Sequence, residues 1–249
     1  MTKLLPCLSA LLLLVPSVRA ADAAPARGPA APATTAAAPA RGATPAAPAI
    51  PPAVAPGDQP VPLEPGFVAL FDGKSFEGWK MAEEHQETWK IEDGALVAHG
   101  DRSHLFYVGD PKPFKNFDLR VEVMTMPGSN GGIYFHTKYQ ATGWPIGGFE
   151  FQVNNTHTDW KKTGSLYDVV NVAQSPAQDG KWWTQEVTVR GNKVTVTIDG
   201  KRIIEYTELP GVTAGKDFER KLGEGTFALQ GHDPNSVVRY RNIRVLRLP

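Results

Sequence analysis

The chain has 249 residues, with 26 basic and 26 acidic side chains, six histidines and one cysteine. A balanced charge without a basic block excludes nucleic acid or an anionic lipid surface as its principal partner. A single cysteine excludes internal disulfides and any multi-thiolate metal site.

Lys3, the apolar run Leu8–Val15 and the small-residue pattern Val18-Arg19-Ala20 predict a signal peptide over residues 1–20. The run is shorter than the ~20 apolar residues a membrane helix needs, and Pro6 and Pro16 interrupt it. The expected location is therefore periplasmic or secreted, with no transmembrane segment in the mature chain. Cleavage would remove Cys7, Lys3 and Arg19, leaving a cysteine-free chain of formal charge −2. Residues 21–64 are nearly all Ala and Pro. Such a segment has little to bury against its ordering entropy, so it is expected to be a semi-extended, disordered spacer.

Residues 65–249 read as one domain of strands and turns. Thr88–Glu92 pairs with Ala95–Ala98 across Asp93-Gly94, and Gln185–Arg190 with Lys193–Ile198 across Gly191-Asn192. A further hairpin runs through Asp199-Gly200 into Arg202–Tyr206. Phe117–Met126, Gly132–Tyr139, Gly148–Asn154, Thr226–Gly231 and Val237–Leu248 are also expected as strands, with a short helical turn near Gly211–Glu219. About a dozen hairpin-linked strands predict an all-β sandwich of two antiparallel sheets.

Side chains alternate faces along a strand. Phe149, Phe151 and Val153 therefore face the core, and Glu150, Gln152 and Asn154 face away. The same rule turns Tyr134, His136, Gln230 and His232 outward. A curved polar sheet carrying Glu, Gln, Asn, His and Tyr suits sugar hydroxyls. Trp144, Trp160, Trp182 and Trp183 in or beside loops would supply stacking rims.

Several motifs carry a more specific resemblance. They are Phe67–Trp79 (FVALFDGKSFEGW), Trp89–Leu96, Asn116–Arg120, Ser129-Asn-Gly-Gly-Ile-Tyr-Phe135, Gly148–Gln152, Gly180–Trp183 and Asn242–Arg244. In this order they resemble the 3-keto-disaccharide hydrolase domain family, over essentially the whole of residues 65–248. The resemblance implies a concanavalin A-like jelly roll and cleavage of glycosides already oxidised at C3. A C3 ketone acidifies the C2 proton, so a base at C2, a donor for the developing enolate and an acid for the leaving group suffice. Laminarinase-type sandwiches carry Glu-x-Asp-x-x-Glu where this chain has Glu150-Phe-Gln-Val-Asn-Asn155, which argues against the paired carboxylates of ordinary glycosidases.

The candidate catalytic residues are Glu150 as base, with His136, Lys162 and Tyr167 as acid, base or enolate donor. Many relatives carry arginine where His136 stands. Candidate sugar-binding residues are Gln152, Asn154, Tyr134, Trp144, Trp160, His157, Gln230 and His232. Paired with Arg120 or Arg239, Glu150 would instead be structural. No cofactor is required. The metal question stays open: Asp159 and Asp168 could help hold calcium, and Glu150, His136 and His232 could converge across strands. A non-catalytic carbohydrate-binding module on a flexible stalk is the alternative to an enzyme.

Overall fold

The computed structural model describes residues 62–249. The predicted signal peptide and nearly all of the predicted spacer lie outside the described residues. Strands in chain order are β1 (Val68–Ala69), β2 (Trp79–Met81), β3 (Trp89–Glu92), β4 (Ala95–His99), β5 (Ser103–Tyr107), β6 (Phe117–Thr125) and β7 (Asn130–Thr137). They continue as β8 (Phe149–Asn154), β9 (Trp183–Arg190), β10 (Lys193–Ile198), β11 (Lys201–Thr207), β12 (Thr226–Gly231) and β13 (Val237–Arg247). One sheet runs β11-β10-β9-β6-β13-β4-β3, with β1 beside the second half of β13; the other runs β2-β5-β12-β7-β8. All pairings are antiparallel.

The hairpins follow from local chemistry. Asp93-Gly94 and Asp199-Gly200 take positive φ (51° and 75°, 47° and 74°), the backbone that a two-residue hairpin turn demands. The core lies between the sheets and is built mainly of Val and Phe. Phe135 and Phe149 stack at 5.4 Å, while Phe227 packs 4.6 Å from Phe114 and 5.0 Å from Phe117. Each such ring contributes about 1.5–3 kcal/mol by leaving water.

The structure corrects three expectations. The Gly211–Glu219 stretch is irregular; the one helical turn among the described residues is a 3-10 turn at Gln86–Thr88. β1, β2 and β5 were not anticipated, because each is short or flanked by polar residues. Trp183 is core, opening β9 on the eight-stranded sheet, and Trp182 lies under Arg241 at 4.0 Å. Neither ring rims the opposite sheet.

Glu64, the last residue of the predicted spacer, is held by the domain. Its carboxylate accepts from Arg244 Nε (2.8 Å) and Nη2 (3.1 Å) and from Arg120 Nη1 (2.9 Å). No helix of the described residues is long and apolar enough to cross a membrane.

Candidate active site

Period-2 alternation places one row of side chains across the outer face of the five-stranded sheet. Phe106 of β5 registers with Ala228 of β12, Ala228 with Tyr134 of β7, and Tyr134 with Glu150 of β8. His104 and Gln230 form part of the next row. This face is not the open trough that the alternation suggests. Tyr134, Glu150, Gln152, Asn154 and Gln230 are each at most 5% exposed. What remains is a pocket of about 280 Å³ lined by Asn130, Tyr134, Trp144, Glu150, Gln152, Asp159, Tyr167, Asp168, Phe218, Arg220, Gln230 and His232. It sits at the lower end of small-ligand sites and is large enough for one sugar ring. A larger cavity, about 620 Å³, lies at the far sheet between the N-terminal segment and β13, away from these residues.

Glu150 is collared by donors. Tyr134 Oη donates to Oε2 at 2.9 Å and Gln230 Nε2 to Oε1 at 3.1 Å, and Arg220 Nη2 stands 3.7 Å from Oε2. Gln230 Nε2 also donates to Tyr134 Oη at 2.8 Å, locking the two donors together. Burial pushes the Glu150 carboxyl above the ordinary carboxylate range; Arg220, Tyr134 and Gln230 oppose that rise by favouring the ionised form. Burial and the Glu150 charge push the Tyr134 phenol well above its usual value, so it remains a donor. The neighbours proposed from sequence, Arg120 and Arg239, belong to the other sheet, where they pair with Glu64, Asp118 and Glu186, and with Glu92 and Asp93.

The Ser129-Asn-Gly-Gly motif builds the floor. A Cβ on Gly132 would lie 2.5 Å from Glu150 Oε1, so the bare backbone of β7 is what lets the carboxylate lie across it. A Cβ on Gly131, one residue earlier on the core face, would meet Tyr240 Oη at 2.8 Å. Asn130 Oδ1 accepts from Gln152 Nε2 at 2.9 Å and so fixes that amide. Gln152 Oε1, Gln230 Oε1, and Nε and Nη1 of Arg220 are buried without a hydrogen-bond partner among the described residues. A ligand rich in hydroxyls would relieve the desolvation cost these atoms carry.

The loop after β8 is stitched to that strand. Tyr167 N donates to Glu150 O (2.9 Å), Gln152 N to Ser165 O (2.9 Å) and Thr163 N to Asn154 O (2.8 Å). Tyr167 thereby reaches the pocket wall, with Lys161 Nζ 3.9 Å over its ring and its Oη 3.4 Å from Asp159 Oδ2. Lys162 is turned into the loop instead, where Nζ donates to His157 O (2.5 Å) and Asp159 O (2.7 Å). Asn154 is likewise internal, its amide donating to the carbonyls of Asp159 and Lys161. Asp168 is paired with Lys161 at 2.6 Å.

Of the twelve residues singled out from sequence, the structure gathers Glu150, Gln152, Tyr134, Tyr167, Trp144, Gln230 and His232 at one pocket. It leaves out Lys162, Asn154, His157, Trp160 and His136. Trp160 is 57% exposed. His136 departs because its φ is +57°, opposite a register shift in β12, so strict alternation fails there. Its ring packs on Phe117 and Phe135; Nδ1 accepts from Gly223 N (3.2 Å) and Nε2 bonds Lys115 O (2.9 Å). The residues that sequence reasoning missed are Arg220 and Phe218, which come from an aperiodic segment before β12.

Among the described residues, His157, His232 and Asp233 have ligand-type atoms converging within 4.8 Å. Hydrogen bonds already orient this trio. His157 Nδ1 accepts from Asp159 N at 3.1 Å, which leaves the proton on Nε2, and His232 Nδ1 faces Asp233 Oδ2 at 2.8 Å.

Fold and pocket together define a jelly-roll β-sandwich with one buried, donor-collared carboxylate on its five-stranded sheet. The chain belongs to the 3-keto-alpha-glucoside-1,2-lyase-like domain family, whose profile matches residues 66–246. It is 28% identical over 170 residues to a 3-keto-disaccharide hydrolase of Bacteroides thetaiotaomicron. That match spans 57% of this chain and 58% of the relative's length. A crystal structure of a putative glycosyl hydrolase from Parabacteroides distasonis superposes with a TM-score of 0.62 at 23% identity, covering 74% of this chain and 94% of the other. A Bacillus subtilis protein of unknown function with a galectin-like fold gives 0.53 at 12% identity, covering 73% and 94%. These two likenesses establish the shared fold.

Proposed function

We propose that the domain, exported from the cytoplasm, cleaves 3-keto-glycosides by elimination and hydration, with Glu150 as the base at C2. The observation that carries this reading is Glu150 itself, the one fully buried carboxylate of the pocket. It faces three donors, and burial raises its pKa, which makes it a stronger base than an exposed carboxylate. The other two carboxylates at the wall are engaged, Asp168 by Lys161 and Asp159 by the Lys161 amide at 3.0 Å. Abstraction of an acidified C2 proton needs no second carboxylate. Family membership and the curated relative support the same substrate class. The unpartnered Gln152 and Gln230 oxygens and the Trp144 ring give one sugar ring its hydroxyl partners and a stacking surface.

The test is incubation with a 3-keto-glucoside and with the unoxidised glucoside. Release of aglycone from the oxidised compound alone, reduced ~10²–10⁴-fold in kcat by Glu150→Gln with KM little changed, is expected. Normal turnover by Glu150→Gln would remove Glu150 as the base. Binding of both glycosides without turnover would make the domain a carbohydrate-binding module.

A further inference from the structure

We infer that His232, oriented by Asp233, is the catalytic acid for the leaving group, working across the pocket from Glu150. The inference rests on the 3-keto-glycosidase reading above and assigns its missing proton donor.

His232 follows β12 directly and lines the pocket that Glu150 floors. Its Nδ1 is 2.8 Å from Asp233 Oδ2. That carboxylate is itself fixed: Ser236 Oγ donates to Oδ2 at 2.7 Å and Asn235 N to Oδ1 at 2.9 Å. The imidazole is further wedged between Trp144 (5.3 Å) and His157 (5.6 Å). A carboxylate on Nδ1 fixes the ring's tautomer and orientation, so Nε2 is left to exchange a proton. Among the described residues the ring's hydrogen bond runs through Nδ1 and none is made by Nε2, and the side chain is 29% exposed, so substrate and water can reach it. The titratable and charged groups around the ring are Asp233 on its own turn, His157 from the loop after β8, Glu150 on β8, His104 on β5 and, beyond Trp144, Arg102.

The proton balance closes with these two groups. Glu150 takes the C2 proton, and the C–H pair forms the enolate and then the C1=C2 bond as the C1–O bond breaks. The departing oxygen takes the Nε2 proton of His232. Water then adds at C1, giving its proton to Nε2, while Glu150 returns the first proton to C2. The net reaction is glycoside plus water to 3-keto-sugar plus alcohol.

An acid is needed most where the leaving group is poor. His232→Gln is therefore expected to lower kcat/KM on methyl 3-keto-glucoside about 100-fold or more, and on 4-nitrophenyl 3-keto-glucoside less than about 5-fold, whereas Glu150→Gln impairs both. Asp233→Asn, which loosens the ring's orientation, should lower kcat more on the methyl than on the 4-nitrophenyl substrate, with KM little changed on both. Equal losses on the two substrates, or no loss on either, would overturn the assignment. Failure of the wild-type protein to release either aglycone would instead overturn the 3-keto-glycosidase reading itself.

Discussion

Alanine at the two neighbouring glycines of β7 should separate function from stability. Neither Gly131 nor Gly132 has a positive φ, so the backbone accepts alanine at both, and each substitution gains ~0.4–1 kcal/mol from a less flexible unfolded chain. At Gly132 the new methyl would sit 2.5 Å from Glu150 Oε1 and 3.0 Å from its Cγ. Ordinary contact needs 3.5 Å or more, so the carboxylate must retreat by roughly 1 Å and lose its 3.1 Å bond from Gln230. The moving atom is the end of a side chain, so the cost largely offsets the entropy gain and Tm should change by no more than about 3 °C. A misplacement of ~1 Å in a reacting group costs about 10²-fold in rate. At Gly131 the methyl instead meets Tyr240 Oη at 2.8 Å, Val238 Cγ2 at 3.1 Å and Gln230 O at 3.3 Å inside the core. Overpacking there costs ~1–3 kcal/mol and should lower Tm by several degrees, with a smaller loss of turnover. The assay pairs thermal unfolding with aglycone release for both variants. Gly132→Ala with wild-type turnover, or Gly131→Ala with unaltered stability, would refute the placement of the two faces.

Further outcomes follow from the electrostatics. Removing the Arg220 charge with Arg220→Met should raise the Glu150 pKa further, so the acid limb of kcat/KM moves to higher pH; an unmoved limb would show that the 3.7 Å pair is inert. Glu64 is held from 4.5 down to about 2, chiefly by its Arg244 hydrogen bond. Its folded pKa is depressed, so its contribution is present above pH 4.5 and disappears as pH falls toward 2. Allowing for partial exposure, it should be worth about 1–2 kcal/mol at neutral pH, and the Tm advantage of wild type over Glu64→Gln should shrink across that window. His104 is fully buried and its pKa is driven down to about 3, chiefly by burial. It stays neutral in the fold while the unfolded chain takes up a proton below about 6.5, so stability falls as pH drops from 6.5 toward 3. Neither ring nitrogen has a hydrogen-bond partner among the described residues, so His104→Phe should preserve or raise Tm and flatten that decline.

The sandwich was legible because its information is local and repetitive. Asp-Gly turns declare hairpins, and period-2 alternation sorts Phe149, Phe151 and Val153 from Glu150 and Gln152. The same rule brought Tyr134 and Gln230 to Glu150, since register across β8, β7 and β12 preserves the face. It failed where a strand is irregular: His136 adopts a left-handed backbone and leaves the polar face. It could not foresee loop interiors either, so Lys162 and Asn154, both polar and close in sequence to Glu150, bind the loop's own carbonyls. Arg220 was hidden for a different reason. Its contact with Glu150 spans 70 residues from a segment without periodicity, and only the folded chain brings the two together.

The loop bonded along β8 has a consequence beyond the pocket it helps to wall. β8 is a terminal strand of its sheet, and terminal strands ordinarily offer free amides and carbonyls to any passing chain. Here residues 163–167 occupy those groups at Glu150, Gln152 and Asn154. Strand addition by a second molecule is thus blocked beside the reactive carboxylate. Self-association through sheet extension is left to the other edges, β1, β2, β3 and β11, none of which carries the reactive carboxylate.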